Sequence, residues 1–422
     1  MTKKIFSFVI AIFTIGALFL SSCEEKPSDF KVYDETASID YSKYKDVTIN
    51  VYNWGEYISD GSEGSVNVNK EFTRLTGIKV NYTNFTSNED MYSKIINGGA
   101  SYDIIVPSDY MIERLVKEGR LEKIDFNNVP NYKYIDKQYK DLYFDLKNEY
   151  SVPYNAGMVG LIYNTKIVTE KPDSWSIMWD QKYANNILMF NNPRDAFGIP
   201  QFMLGLDVNS EDKNTWQKAY DELLKQKPLI KAYVMDEVFN KMESGAAAMA
   251  PYYAGDFLSM YQNNPDLAFV YPKEGTNIFI DSICIPKGSK NKAAAELYIN
   301  FLLDPNVALQ NAEMICYTTP NTEVKNNQEY KDFLKELSDD AYEIMYPDLS
   351  KLYPNVSLNN YYFHNLSDET LTHMNDLWTG LKIAPIDEES SNMIFIICGA
   401  ALVVIVLVFI FAKVRKKMRD NA

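Results

Sequence analysis

Histidine is scarce: among 422 residues only His364 and His373 occur, both near the end of the body of the chain. Neither sits in a nucleophile elbow or an HExxH pattern, so no familiar setting for imidazole or zinc catalysis is present. The absence of a GxxxxGK[ST] stretch excludes a P-loop ATPase. The four cysteines do not make a disulfide framework: Cys23 and Cys398 lie in terminal apolar segments, and Cys284 and Cys316, each in an apolar setting, read as buried free thiols, although an exported chain permits a bridge. No internal repeat is found, and no motif calls for a cofactor or metal. Basic residues are also in deficit, 42 against 57 acids, for a net charge of −15. That balance repels nucleic acid and attracts cations.

Long apolar runs occur only at the two ends. Lys3 and Lys4, the apolar stretch Ile5 to Leu20 and the small residues before Cys23 form an export signal over residues 1–22. "LSSC", Leu20 to Cys23, resembles the lipobox of bacterial lipoproteins, which implies lipidation of Cys23. Met393 to Ala412 is uncharged and long enough to cross a bilayer as a helix of roughly 20 residues, where a buried core helix would rarely be apolar on every face. Lys413, Arg415, Lys416, Lys417 and Arg419 follow, so the positive-inside rule puts the tail 413–422 in the cytoplasm and the body outside.

Residues 23–46 read as a polar tether and 383–392 as a linker to the membrane. The roughly 370 residues between the anchors exceed what one core usually organises, which predicts two lobes. Strand-like stretches at 78–85 and 102–108 flank a helical segment at 90–96, and "DYMIERLVKEG" carries Ile112, Leu115 and Val116 on one helical face with Gly119 at its cap. "KAAAELYINFLLD" is a strong helix, and Asp304-Pro305 supplies the cap and first turn of the next. This βαβ grammar implies an α/β fold with a parallel sheet, whose ligands sit beyond the carboxyl ends of the strands.

With 57 acids a glycosidase-like pair could always be nominated, so abundance argues for nothing. What recurs is an acid beside an aromatic at an element end: Glu56 with Trp54 and Tyr57, Asp195 with Phe197, Asp256 with Tyr253, Asp281 with Phe279. Each pair alone suits a surface acid near a packed ring. Together they suit an organic ammonium ion, which rings attract by about 0.5 to 2 kcal/mol each and carboxylates meet with charge-assisted hydrogen bonds.

"NWGEYISDGS", "GIKVNYTNFTSNEDMYSK", "YDIIVPSDYMIERLVKEG", "VPYNAGMVGLIYN", "NNPRDAFGI", "YPKEGTNIFIDSICIPKGSKN" and "YTTPN" occur in order between Val47 and Lys382. The set resembles the spermidine/putrescine-binding proteins of bacterial polyamine ABC importers. The resemblance implies a two-lobed, type II periplasmic-binding-protein fold with a hinge, one lobe from 47–158 and 280–337, the other from 162–276 and 341–382. It implies a polyamine ligand, an ABC permease with its ATPase subunits as partner, and no catalysis. The alternative weighed against it is a membrane-tethered enzyme that uses a carboxylate pair on a cationic or sugar substrate.

By motif position, Trp54, Glu56 and Tyr57 line the cleft from the first loop, and Ser108 and Tyr110 from the next. Asp195 would bind a terminal ammonium group and Asp281 a central or second amine, with Tyr317 completing the enclosure. Tyr253 and Phe279 stand where the family usually has tryptophan, which weakens the attraction for a cation. Asn192 occupies a position where some spermidine-preferring members carry Asp, which points to fewer carboxylates and a shorter diamine. Phe363 or His364 falls near a further family contact, without an assignable role.

Overall fold

The computed structural model describes residues 30–98, 101–354 and 358–385. The expected export signal with Cys23, the span 393–412 and the tail 413–422 lie outside these residues, as does most of the expected linker. Among the described residues no helix is long and apolar enough to cross a membrane.

β1 (Thr48–Trp54) pairs in parallel with β2 (Lys79–Phe85), the helix Val68–Thr76 lying between them in the chain. β1 takes β3 (Ile104–Ile105) on its other side. The strand expected over 102–108 is thus only two residues long. Pro107 has no N–H to give a ladder, and Ser108 already stands at the N-cap position of the helix Asp109–Lys117.

β4 (Ser151–Asn164) connects the two halves. Its first part, Ser151 to Met158, runs antiparallel to β9 (Ile278–Cys284). Its second part, from Val159, pairs with β7 (Met249–Tyr253) and then also with β8 (Leu267–Val270). β5 (Ile187–Phe190) and β6 (Ile230–Val234) extend the second sheet in parallel. The order is β2-β1-β3-β9-β4-β7-β5-β6, with β8 beside β4. One almost wholly buried strand therefore serves both lobes, and the handover falls at Gly157 to Gly160. A side chain at Gly157 would put a Cβ 2.5 Å from the ring of Phe279, so glycine there is what lets that ring lie across the strand.

The tether reading fails for part of its length. Phe30 to Asp46 packs onto the first lobe: Thr36 and Tyr41 are buried, and Asp304 Oδ2 accepts hydrogen bonds from the Tyr33 amide at 2.9 Å and the Thr36 hydroxyl at 2.6 Å. A buried carboxylate needs donors. Asp304 spends its other oxygen on the cap of the helix Pro305–Ile315, accepting from Asn306 N at 3.0 Å. The helix Asp368–Ile383 likewise runs to the first residue of the expected linker. Cys284 and Cys316 are both buried and free.

Candidate functional site

The carboxyl end of β1, the turn after β3, the loop after β5 and the end of β7 all open on one cleft between the lobes, with β9 crossing its floor. All eleven side chains nominated from the sequence line it. The space is narrow, a cavity of about 70 Å³.

Asn192 caps the helix Pro193–Met203, its Oδ1 accepting from Arg194 N at 3.0 Å, and its Nδ2 donates to Asp195 Oδ2 at 2.9 Å. Asp195 also accepts from the Tyr253 hydroxyl at 2.8 Å and from Asn277 Nδ2 at 3.3 Å. Burial, reinforced by the charge of Glu89, still pushes its carboxyl up to about 6.

Asp281 accepts from the Tyr57 hydroxyl at 2.6 Å through Oδ2, while Oδ1 is buried and has no hydrogen-bond partner among the described residues. Burial raises this carboxyl to about 6 as well, against the lowering effect of Ser108 and Tyr57. An ionised carboxylate with an unmet oxygen, out of water, favours a cation beside it.

The rings make the walls. Tyr317 meets Tyr57 edge-on at 5.1 Å between centroids, Tyr253 meets Phe279 edge-on at 5.4 Å, and Trp54 lies 4.5 Å from Phe85. Asn88 Nδ2 fixes Ser108 Oγ at 3.0 Å and the Tyr110 hydroxyl at 3.1 Å, and Tyr110 donates to Glu89 Oε1 at 3.0 Å. Glu56 stands exposed at the mouth with φ of +48°, a left-handed turn that ends the path of β1.

Sequence reasoning left out Asp109, Asp236 and Asp256, which line the same cleft, and so underestimated its carboxylates. Asp256 had a signal, its pairing with Tyr253. Asp109 had none: an acid in the first turn of a helix is ordinary, because the helix dipole favours it. Arg194 is also present, yet its guanidinium donates to Val208 O at 2.7 Å and Asn209 Oδ1 at 2.8 Å and stacks over Phe363 at 4.3 Å. It holds the lobe together and leaves the acids in excess. Phe363 lines the cleft, whereas His364 sits 3.6 Å from Glu113 through Nδ1.

A family model described as bacterial extracellular solute-binding protein matches residues 67–336. The chain belongs to this family. The solute-binding protein is 36% identical over 277 residues, 65% of this chain and 78% of the other, to the spermidine/putrescine-binding periplasmic protein of Escherichia coli K12. It is 31% identical over 341 residues, 80% of this chain and 89% of the other, to the spermidine/putrescine-binding periplasmic protein 1 of Haemophilus influenzae. Among solved structures, a putative spermidine/putrescine ABC transporter from Listeria monocytogenes superimposes with a TM-score of 0.71 at 36% identity, covering 80% of this chain and 99% of that one. The fold is the α/β two-lobed architecture of periplasmic binding proteins, and the family binds solutes rather than transforming them.

Proposed function

We propose that this protein captures a polyamine outside the cytoplasm and delivers it to an ABC permease and its ATPase subunits. The carrying observation is Asp281, a buried carboxylate with one oxygen on Tyr57 and the other unmet, set among aromatic faces. Polyamine nitrogens resemble lysine, with a pKa near about 10, and so arrive charged. Rings sandwich the methylene chain, Asp195 and Asp281 take ammonium groups, and Glu56 neutralises the end nearest the mouth.

Closure about the shared strand buries the ligand, and the closed population grows with the difference in affinity between closed and open forms. In the same reading the protein is held at the extracytoplasmic face by lipid on Cys23 and by the span 393–412, which raises its effective concentration near the permease. Titration calorimetry on the purified full-length protein with putrescine and with spermidine tests the ligand class. Heat from neither, at protein concentrations that would saturate a micromolar site, refutes it.

A further inference from the structure

Behind the hinge lies a second cavity between the lobes, of about 360 Å³ against about 70 Å³ for the slot in front. Side chains along a strand point alternately to its two faces. On β9, Phe279 and Asp281 turn to the slot, while Ile278 and Ile280 turn to the rear cavity. On β4, Ala156 and Met158, the partners of Ile280 and Ile278, join the rear wall. The two spaces share the paired strands β4 and β9 as a partition.

The side walls of the rear cavity belong to different lobes. Tyr139 and Lys325 come from the first, where Asp136 N donates to Pro320 O at 2.8 Å and the Thr322 hydroxyl to Tyr134 O at 2.9 Å. Tyr271, Tyr346 and Leu349 come from the second, where the Tyr271 hydroxyl donates to Ile344 O at 2.6 Å and the Tyr353 hydroxyl to Pro272 O at 3.3 Å. A rotation about the partition that opens the slot must bring these walls together, and closing the slot must part them. Here the slot is narrow and the rear is wide.

The rear lining reverses the chemistry of the slot. Acids crowd the slot, whereas among the described residues that line the rear cavity Lys325 is the one charged side chain. Its Nζ lies 5.5 Å from the centre of the Tyr346 ring and 3.6 Å from Asp136 Oδ2. Asp136 does not depend on it, since Gln138 donates to both oxygens, N to Oδ1 at 3.1 Å and Nε2 to Oδ2 at 3.3 Å. Burial holds the Tyr139 hydroxyl well above its ordinary value and raises that of Tyr362 to about 12, so both keep their protons and can donate. An ammonium and two phenolic donors beside aromatic and aliphatic faces suit a flat apolar body with an anionic head. The volume falls in the range of small-molecule sites, roughly 300 to 1,000 Å³.

We propose that the rear cavity is a second ligand site, for a small aromatic carboxylate, and that filling it wedges the lobes apart behind the hinge and so favours the closed slot in front. The carboxylate meets Lys325, and the rings fill the space against Ile278 and Ile280. The coupling rests on the polyamine reading above, whereas the site does not. Coupling between two ligands is reciprocal, so each tightens the other by the same factor.

Calorimetric titration of the full-length protein with naphthoate, alone and with saturating spermidine, tests this, with naphthylmethylamine as the cationic counterpart. Naphthoate should bind in both cases, at least about fivefold more tightly with spermidine present. Naphthylmethylamine should give no heat once spermidine fills the slot. Lys325→Gln should weaken naphthoate by at least about fivefold, the scale of one charged hydrogen bond at a half-exposed site, and leave spermidine within about twofold. Naphthoate that displaces spermidine, that fails to bind in either case, or that binds Lys325→Gln as well as wild type overturns the proposal. Binding that needs Lys325 but leaves spermidine affinity unmoved overturns the wedge. If naphthoate binds through Lys325 while spermidine gives no heat, the polyamine reading fails and the rear site stands.

Discussion

At the scale of single residues, the cleft is a set of carboxylates held in the wrong solvent. Asp195 and Asp281 titrate near 6 and Asp256 near 8, each raised chiefly by burial, with Glu89, Asp236 and Glu56 adding repulsion. Their unfolded counterparts titrate near about 3.9. Between those values the ligand-free folded state holds more protons than the unfolded chain, so its stability should fall as pH rises from about 4 towards 8. Ligand affinity should move oppositely. A cation binds the ionised acids, so the affinity for spermidine should weaken on going from pH 8 to pH 5, and binding should release protons. Titrations in two buffers of different ionisation enthalpy measure that release, and urea unfolding at pH 5 and pH 8 measures the stability.

Asp281→Ala should cost at least about a hundredfold in affinity, about 2.7 kcal/mol, because it removes the acid with the unmet oxygen. His364→Ala should change affinity by less than about threefold, since the imidazole faces Glu113 rather than the cleft. Comparable losses in the two variants would show that the centre of the site lies elsewhere. Trp54, Glu56, Tyr57, Asp195, Tyr253, Phe279 and Asp281 stood out as acids and aromatics together at element ends, whereas Ser108, Tyr110, Asn192 and Tyr317 were reached only through the family resemblance. Asp109 and Asp236 were legible by neither route, because an acid at a helix start is what the dipole alone would select.

At the scale of elements, local grammar carried far. The Asp304-Pro305 cap, the helix closed at Gly119 and the strand up to Trp54 stand where their sequences put them. Two readings failed for different reasons. β3 shrinks to two residues because Pro107 has no N–H to extend a ladder, and the polar stretch before β1 is ordered since Asp304, some 270 residues on, needs its donors. Asp304→Ala should therefore cost about 1 to 2 kcal/mol from the lost cap and should also expose residues 30–41 to rapid hydrogen exchange. Unchanged protection there would mean that the segment holds by its apolar contacts alone.

Gly255 offers a test of close approach. A Cβ there would fall 2.2 Å from the Tyr317 ring and 2.7 Å from the carbonyl oxygen of Cys316, and the second of these is backbone that cannot step aside. Gly255→Val should hold the helix Ala254–Asn263 away from Tyr317 and weaken polyamine binding by at least about tenfold, with a smaller effect on the melting temperature. Full affinity in that variant would show that the approach is not needed for capture.

At the scale of the whole molecule, the lobes are tied by more than the shared strand. The Tyr143 hydroxyl donates to Phe363 O at 2.7 Å, Asn365 N donates to Glu113 at 2.8 Å, and Arg114 reaches Asp368 at 3.2 Å. These contacts join the helix after β3 and, through Tyr143, the loop before β4 to residues 363–368 at the start of the last helix, and separation of the lobes must break them. The two ends of the described chain are fastened to different bodies. Phe30 is held through its carbonyl by Arg74 at 3.2 Å, and the Lys227 ammonium reaches the Lys382 carbonyl at 3.0 Å. Phe30 stands seven residues from Cys23, a reach of at most about 25 Å. If both proposed anchors hold, the bilayer grips each jaw by a short leash, and the gape of the empty molecule is set partly by the membrane rather than by its own hinge alone.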